Sequence, residues 1–168
     1  MLSERNKILI ETIKRLLRRS SYVRLKKIIS KIHAADLSAV FPSLSAYNQR
    51  NLFKLIDDQE KRGIILSELD EDIILTLIDD LSVDELVKIL EYMPSDDGGA
   101  LIRLLPQDKS DAVIERMKKE GADDVEGLLQ YEDDTAGAIM IPDFIALNEE
   151  MTAREVIELL QTQEYKDI

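Results

Sequence analysis

Apolar residues recur every twelve positions along most of this chain: Ile32, Leu44, Ile56, then after one step of thirteen Leu69, followed by Leu81, Met93, Leu105 and Met117. Eight and nine residues after each mark from Ile32 to Leu105 stands an apolar pair: Val40-Phe41, Leu52-Phe53, Ile64-Ile65, Leu77-Ile78, Ile89-Leu90, Leu101-Ile102 and Val113-Ile114. A unit of this length is too long for one strand and fits a helix of about two turns plus a tight turn. The pattern predicts an all-α array in which two units make a helical hairpin. Isolated helices this short are unstable in water, so each hairpin must lean on its neighbours, as in an armadillo-like α-solenoid.

Turn chemistry agrees with this phase. The residue after the mark is Ser45, Asp57, Asp70, Ser82, Pro94 or Pro106, types that cap free backbone N–H groups or tolerate a first helical turn. Ser82-Val83-Asp84-Glu85 spells a capping box. Before the array, an amphipathic helix is predicted from about Glu4 to Arg19, with Ile8, Ile13, Leu16 and Leu17 on its apolar face. A second, basic helix is predicted from Tyr22 to His33, and a final short one from Ala122 to Gln130. After the acidic stretch Glu132-Asp133-Asp134 the pattern changes to an apolar run, Ala138 to Leu147, interrupted by Pro142. Its β-branched residues predict an extended segment, followed by a helix from Ala153 to Gln161 capped by Thr152.

Composition narrows the chemistry. With 168 residues and 45% hydrophobic content, the chain can bury one core and begin a second small domain. The absence of cysteine excludes disulfides, thiolate zinc sites and thiol catalysis. The one histidine, His33, reads as a cap or packing residue rather than a ligand, and no triad can be assembled around it. No apolar run approaches the roughly 20 residues needed to cross a bilayer, so the chain is expected to be soluble. Residues 1–31 hold ten Lys/Arg against two acids, net +8, leaving twelve against 32, net −20, in the remainder. The acidic body excludes a nucleic-acid partner and attracts cations, while the basic start fits an acidic neighbour, an anionic membrane surface or the chain's own acidic body.

The segment Tyr131-Glu132-Asp133-Asp134-Thr135-Ala136-Gly137-Ala138-Ile139-Met140, followed by Met151-Thr152-Ala153-Arg154-Glu155-Val156, resembles the junction of MgtE-type magnesium transporters and channels, where a helical N domain passes into the first CBS domain. The resemblance implies a right-handed superhelix over residues 1–130 and the opening β-α fragment of a CBS domain over residues 131–168. It further implies weak, regulatory Mg²⁺ binding, cytoplasmic location at the inner face of the membrane, and covalent continuation into CBS and transmembrane regions. The intact protein would be a homodimer and this fragment a monomer. In the family, Mg²⁺ between acidic N and CBS domains neutralises their repulsion and favours the closed state.

Met93-Pro94-Ser95-Asp96-Asp97-Gly98-Gly99-Ala100-Leu101 resembles the family's acidic interface motif, and only Asp96 and Asp97 carry over as metal ligands. Ala100 and Ile64 stand where further family carboxylates are expected. A structural explanation competes, because Asp72, Asp84, Asp96 and Asp108 each lie three residues after a mark, where a carboxylate stabilises the helix dipole by about 0.3–1 kcal/mol. Asp133 and Asp134 read as a solvated linker. Gly98-Gly99 fits a late helix start, a close crossing or a hinge. Two other classes compete: an interaction scaffold resembling the flagellar switch protein FliG, binding partners without Mg²⁺, and an acidic-site hydrolase, disfavoured because the carboxylates sit at helix starts without an oriented base.

Overall fold

The computed structural model describes residues 4–117, 119–132, 135–140 and 145–161. Eleven α-helices occur among them, with no strand: α1 Glu4–Arg18, α2 Tyr22–Ile29, α3 Ala34–Ser38, α4 Ala46–Lys54, α5 Gln59–Ser67, α6 Glu71–Ile78, α7 Val83–Leu90, α8 Ser95–Arg103, α9 Gln107–Arg116, α10 Lys119–Leu129 and α11 Ala153–Leu160. A single 3-10 turn, Phe41–Ser43, separates α3 from α4.

The twelve-residue beat is the interval between helix N-caps. His33, Ser45, Asp58, Asp70, Ser82, Pro94 and Pro106 occupy the N-cap positions of α3 to α9, so a mark such as Leu81 is the residue entering the cap. Asp58, not Asp57, caps α5, its side chain accepting from Lys61 N–H. The extra residue of the single thirteen-step is therefore Asp57, which lies in the loop and receives Lys26 Nζ at 2.6 Å. Both prolines precede N1 and contribute an extended backbone at the cap. The Ser82 capping box forms in both directions, with the Glu85 carboxylate accepting from the Ser82 backbone N–H, and Thr152 and Glu155 repeat it at α11. His33 is a cap: its Nδ1 accepts from Ala35 N–H at 3.4 Å.

The apolar pairs sit in the second half of each unit, where they fill a continuous core running from α1 to α10. Twelve of the fourteen pair residues are buried, with only Ile64 and Ile114 partly so. The first two helices pack on each other, and from α3 to α10 each helix rests chiefly on a helix two places away: α3 on α5, α5 on α7, α7 on α9, and in the other row α4 on α6 and α8 on α10. Stacking of alternate helices, more than pairing of consecutive ones, supplies the burial that a two-turn helix cannot supply for itself.

The same stacking solves the C-termini. No described glycine has a positive φ, so the left-handed glycine cap is not used. Instead, cations from a neighbouring helix donate to carbonyls at the helix ends: Lys61 to Ile29 and Ser30, Arg50 to Thr76, Lys109 to Ile78, and Arg103 to Leu128. Each bond places positive charge at the negative end of a helix dipole and ties one helix to another.

Two sequence expectations shift at the N-terminus. Ile8 is 68% exposed while Ile10 is buried with Ile13, Leu16 and Leu17, because the face of α1 that meets α2 is rotated toward Ile10. The second helix ends at Ile29 rather than at His33. Ser30 Oγ donates to the Lys27 carbonyl, and the backbone tightens through Lys31 and Ile32, which lets His33 start α3. The expected extended segment after Ala138 falls partly on residues 141–144, outside the described residues. What precedes it is a turn in which Ala138 N–H donates to the Thr135 carbonyl.

Candidate metal site at the start of α8

Asp96 and Asp97 stand in the first turn of α8, behind Pro94. They face a cleft of about 490 Å³ between α6, α8 and the 135–140 turn, with Leu69, Ile74, Leu104 and Ile139 among its apolar walls and Glu71 and Arg103 beside the two aspartates. Burial pushes the Asp97 carboxyl above the usual aspartate range. The charge of Asp96 adds to this, a hydrogen bond from Ser67 opposes it, and the charge of Glu68 adds again. Asp96 Oδ1 is shielded from solvent and has no hydrogen-bond partner. A partly buried pair of this kind concentrates negative charge.

The floor of this site is built by close helix packing. Gly98 and Gly99 are buried within α8, and a Cβ at Gly99 would lie 3.7 Å from Leu128 Cβ, one at Gly98 3.4 Å from Leu90 Cδ2. Of the three readings open from sequence, the close crossing is the one observed, with α8 pressed against α10. Arg103, two turns beyond Asp96, spans the cleft and the junction. Its Nη2 donates to the Leu128 carbonyl at 2.7 Å and to the Tyr131 carbonyl at 3.3 Å. The junction itself is folded: Thr135 Oγ1 donates to the Glu132 carbonyl, Ala138 is buried, and the Tyr131 ring covers Gly137 so closely that a Cβ there would overlap it.

All four periodic aspartates lie in first turns, as the dipole argument requires. They differ in surroundings: Asp84 pairs with Arg116 at 3.0 Å, whereas Asp96 lies at the cleft. Ala100 lines the same cleft without contributing a ligand, and Ile64 packs against the core. Among the described residues no group of three or more metal-binding side chains comes together, so a cation here would retain most of its water, as Mg²⁺ held by one or two carboxylates does. Asp133 and Asp134 lie outside the described residues. Nothing in the sequence singles out Ser67, Glu68 and Glu71; of the surrounding residues only Arg103 carries a signal, its i+7 spacing from Asp96.

A helical-repeat domain with an acidic cleft against its C-terminal junction is the class that fold and site define. Residues 32–134 match the MgtE intracellular N domain, and the chain belongs to that family. Two solved structures share the fold. A crystal structure of the cytosolic domain of the Mg²⁺ channel MgtE in complex with ATP is 24% identical, covering 90% of this chain and 62% of that one, with a TM-score of 0.77. A crystal structure of the soluble part of a magnesium transporter is 18% identical, covering 97% of this chain and 63% of that one, with a TM-score of 0.72. This chain thus spans less than two thirds of either structure. No curated protein matches it. No described helix is long and apolar enough to cross a membrane.

Proposed function

We propose that this chain is the Mg²⁺-responsive cytosolic region of an MgtE-like magnesium transporter or channel, working by cation binding and conformational change rather than by catalysis. Asp96 and Asp97 hold a hydrated Mg²⁺ at the head of α8, and the cation relieves repulsion between this acidic domain and a CBS partner. Residues 1–130 form the sensing domain and residues 131–168 open the CBS domain, through which the chain joins a transmembrane, homodimeric protein. The observation that carries the reading is the partly buried Asp96-Asp97 pair beside the junction, in a chain of this family. The exposed apolar residues Ile157 and Leu160 on α11 are consistent with a helix that a completed CBS domain covers.

Protonation competes with the metal. Because the Asp97 carboxyl is raised, the folded chain binds more protons than the unfolded one between the two pKa values, so stability falls as pH rises through that window. The ionised pair is strained without a cation. Isothermal titration is expected to show Mg²⁺ affinity falling as pH is lowered from neutrality toward the raised Asp97 pKa, and Asp97→Asn weakening binding at least about tenfold at neutral pH. Equal affinity in the variant would remove Asp97 from the site.

A further inference from the structure

The basic N-terminal hairpin has a surface that the rest of the molecule does not use. Lys26 pairs with Asp57, but among the described residues Arg15, Arg18, Arg19, Arg24 and Lys27 have no carboxylate at ion-pair distance. Apart from the Lys26 pair, these five cations of the net +8 segment 1–31 are not paired with the acidic body. Two of these cations, Arg15 and Arg18, gain from the C-terminal dipole of α1. Arg24 does not. It lies in the first turn of α2, which has no acidic residue, where a cation opposes the dipole and its basic neighbours.

The shape of the hairpin end is equally specific. Ser20, at the turn, adopts a left-handed conformation with φ 49°, and directly beyond it Tyr22 is 39% and Val23 89% exposed. Val23 and Lys27 are four residues apart on α2 and share a face. An exposed valine and tyrosine ringed by arginine and lysine suits an interface that is apolar at depth and negatively charged at its surface. Beneath Val23 lies an open cavity of about 450 Å³, walled by Ile29, Leu55 and Ile56, with Lys26, Lys27 and Lys61 on its rim beside Asp57 and Asp58, so the uncompensated positive charge lies at the hairpin tip and not in this cavity.

We infer that the tip of the α1–α2 hairpin docks on a bilayer bearing anionic phospholipid headgroups, with Arg18, Arg19, Arg24 and Lys27 at the phosphates and Val23 entering the interface. Such surfaces attract clustered lysine and arginine, and a shallow apolar insertion strengthens the attachment. The acidic remainder, net −20, is repelled by the same surface, so docking also orients the chain with its hairpin toward the lipid and its acidic cleft away. This inference is independent of the Mg²⁺ reading.

Co-sedimentation of the full chain with vesicles, in EDTA so that divalent cations do not bridge, tests it. Vesicles of mixed phosphatidylglycerol and phosphatidylcholine are expected to retain the chain at low salt and release it at high salt, while pure phosphatidylcholine vesicles retain none. The triple variant Arg19→Glu/Arg24→Glu/Lys27→Glu should bind about a hundredfold more weakly, Arg24→Glu alone and Val23→Asp should also weaken binding, and Lys88→Glu, a single charge reversal equal to that of Arg24→Glu but on the exposed face of α7, should change little. All these side chains are exposed, and unchanged circular dichroism confirms folding. Retention of the triple variant at the level of the parent chain overturns the inference. So does failure to bind anionic vesicles, whether the hairpin then mediates salt-sensitive self-association, which would make a second copy's acidic body the occupant, or binds nothing.

Discussion

Replacing Phe53 by alanine is expected to lower stability by about 3–5 kcal/mol, the range for deleting a large buried aromatic. Phe53 is 1% exposed and meets the Phe41 ring edge-on, with centroids 6.4 Å apart and planes at 75°. Its face carries the Arg62 guanidinium at 5.2 Å. Arg62 is itself only 7% exposed, and burial lowers its pKa against the opposing charges of Glu85 and Asp57. The ring is one of the surfaces that make burial of that cation tolerable. Removing it leaves a cavity between α4 and the 3-10 turn and strips Arg62 of its aromatic partner. Urea denaturation monitored by helical circular dichroism reads the effect, and a loss below about 1 kcal/mol would contradict this packing.

Gly63→Val is expected to destabilise by about 3 kcal/mol, at the upper end for overpacking, whereas Gly63→Ala should be nearly neutral. A Cβ on Gly63 would lie 2.9 Å from Met93 Cγ and 3.6 Å from the carbonyl oxygens of Ile89 and Tyr92. Alanine requires only that the flexible methionine move, and it gains helix propensity of up to about 1 kcal/mol over glycine. Valine drives γ-methyl groups toward the end of α7, which is backbone and does not yield. Thermal melts of the two variants separate this close approach of α5 to α7 from general intolerance of change; equal melting temperatures would refute it.

The repeat was legible because the period of the caps and the period of the core are the same twelve residues. A helix-starting residue and an apolar pair recur in each unit, so local signals reinforce one another. Asp57 marks where this reading loses a residue: the thirteen-step announced an insertion, and two adjacent aspartates offered equivalent caps. Ile8 was misassigned because a helix of this length has several apolar residues around its circumference, and only packing against α2 selects Ile10 as buried. The end of α2 was hidden for a related reason, since no glycine or proline marks Ser30.

The candidate site was legible only in its sequence-local half. Asp96 and Asp97 are adjacent and begin a helix, which both the dipole argument and the family resemblance register. Ser67, Glu68 and Glu71 come from the end of α5 and the start of α6, and the tertiary fold brings them near the start of α8, a relationship that no linear spacing encodes. The link from Arg103 to Leu128 and Tyr131 is likewise tertiary. Gly98-Gly99 signalled an unusual helix, yet the α10 surface that packs against them became identifiable only with the fold.

The most direct test of the central claim is a Mg²⁺ titration followed by two-dimensional amide NMR, with NaCl controls at matched ionic strength. Saturable shifts confined to residues around Asp96, Asp97 and the facing end of α5, absent in Asp96→Asn/Asp97→Asn, are the predicted result. Small shifts spread over every acidic helix and reproduced by NaCl would contradict it, reducing the cleft to one more screened patch on an acidic surface.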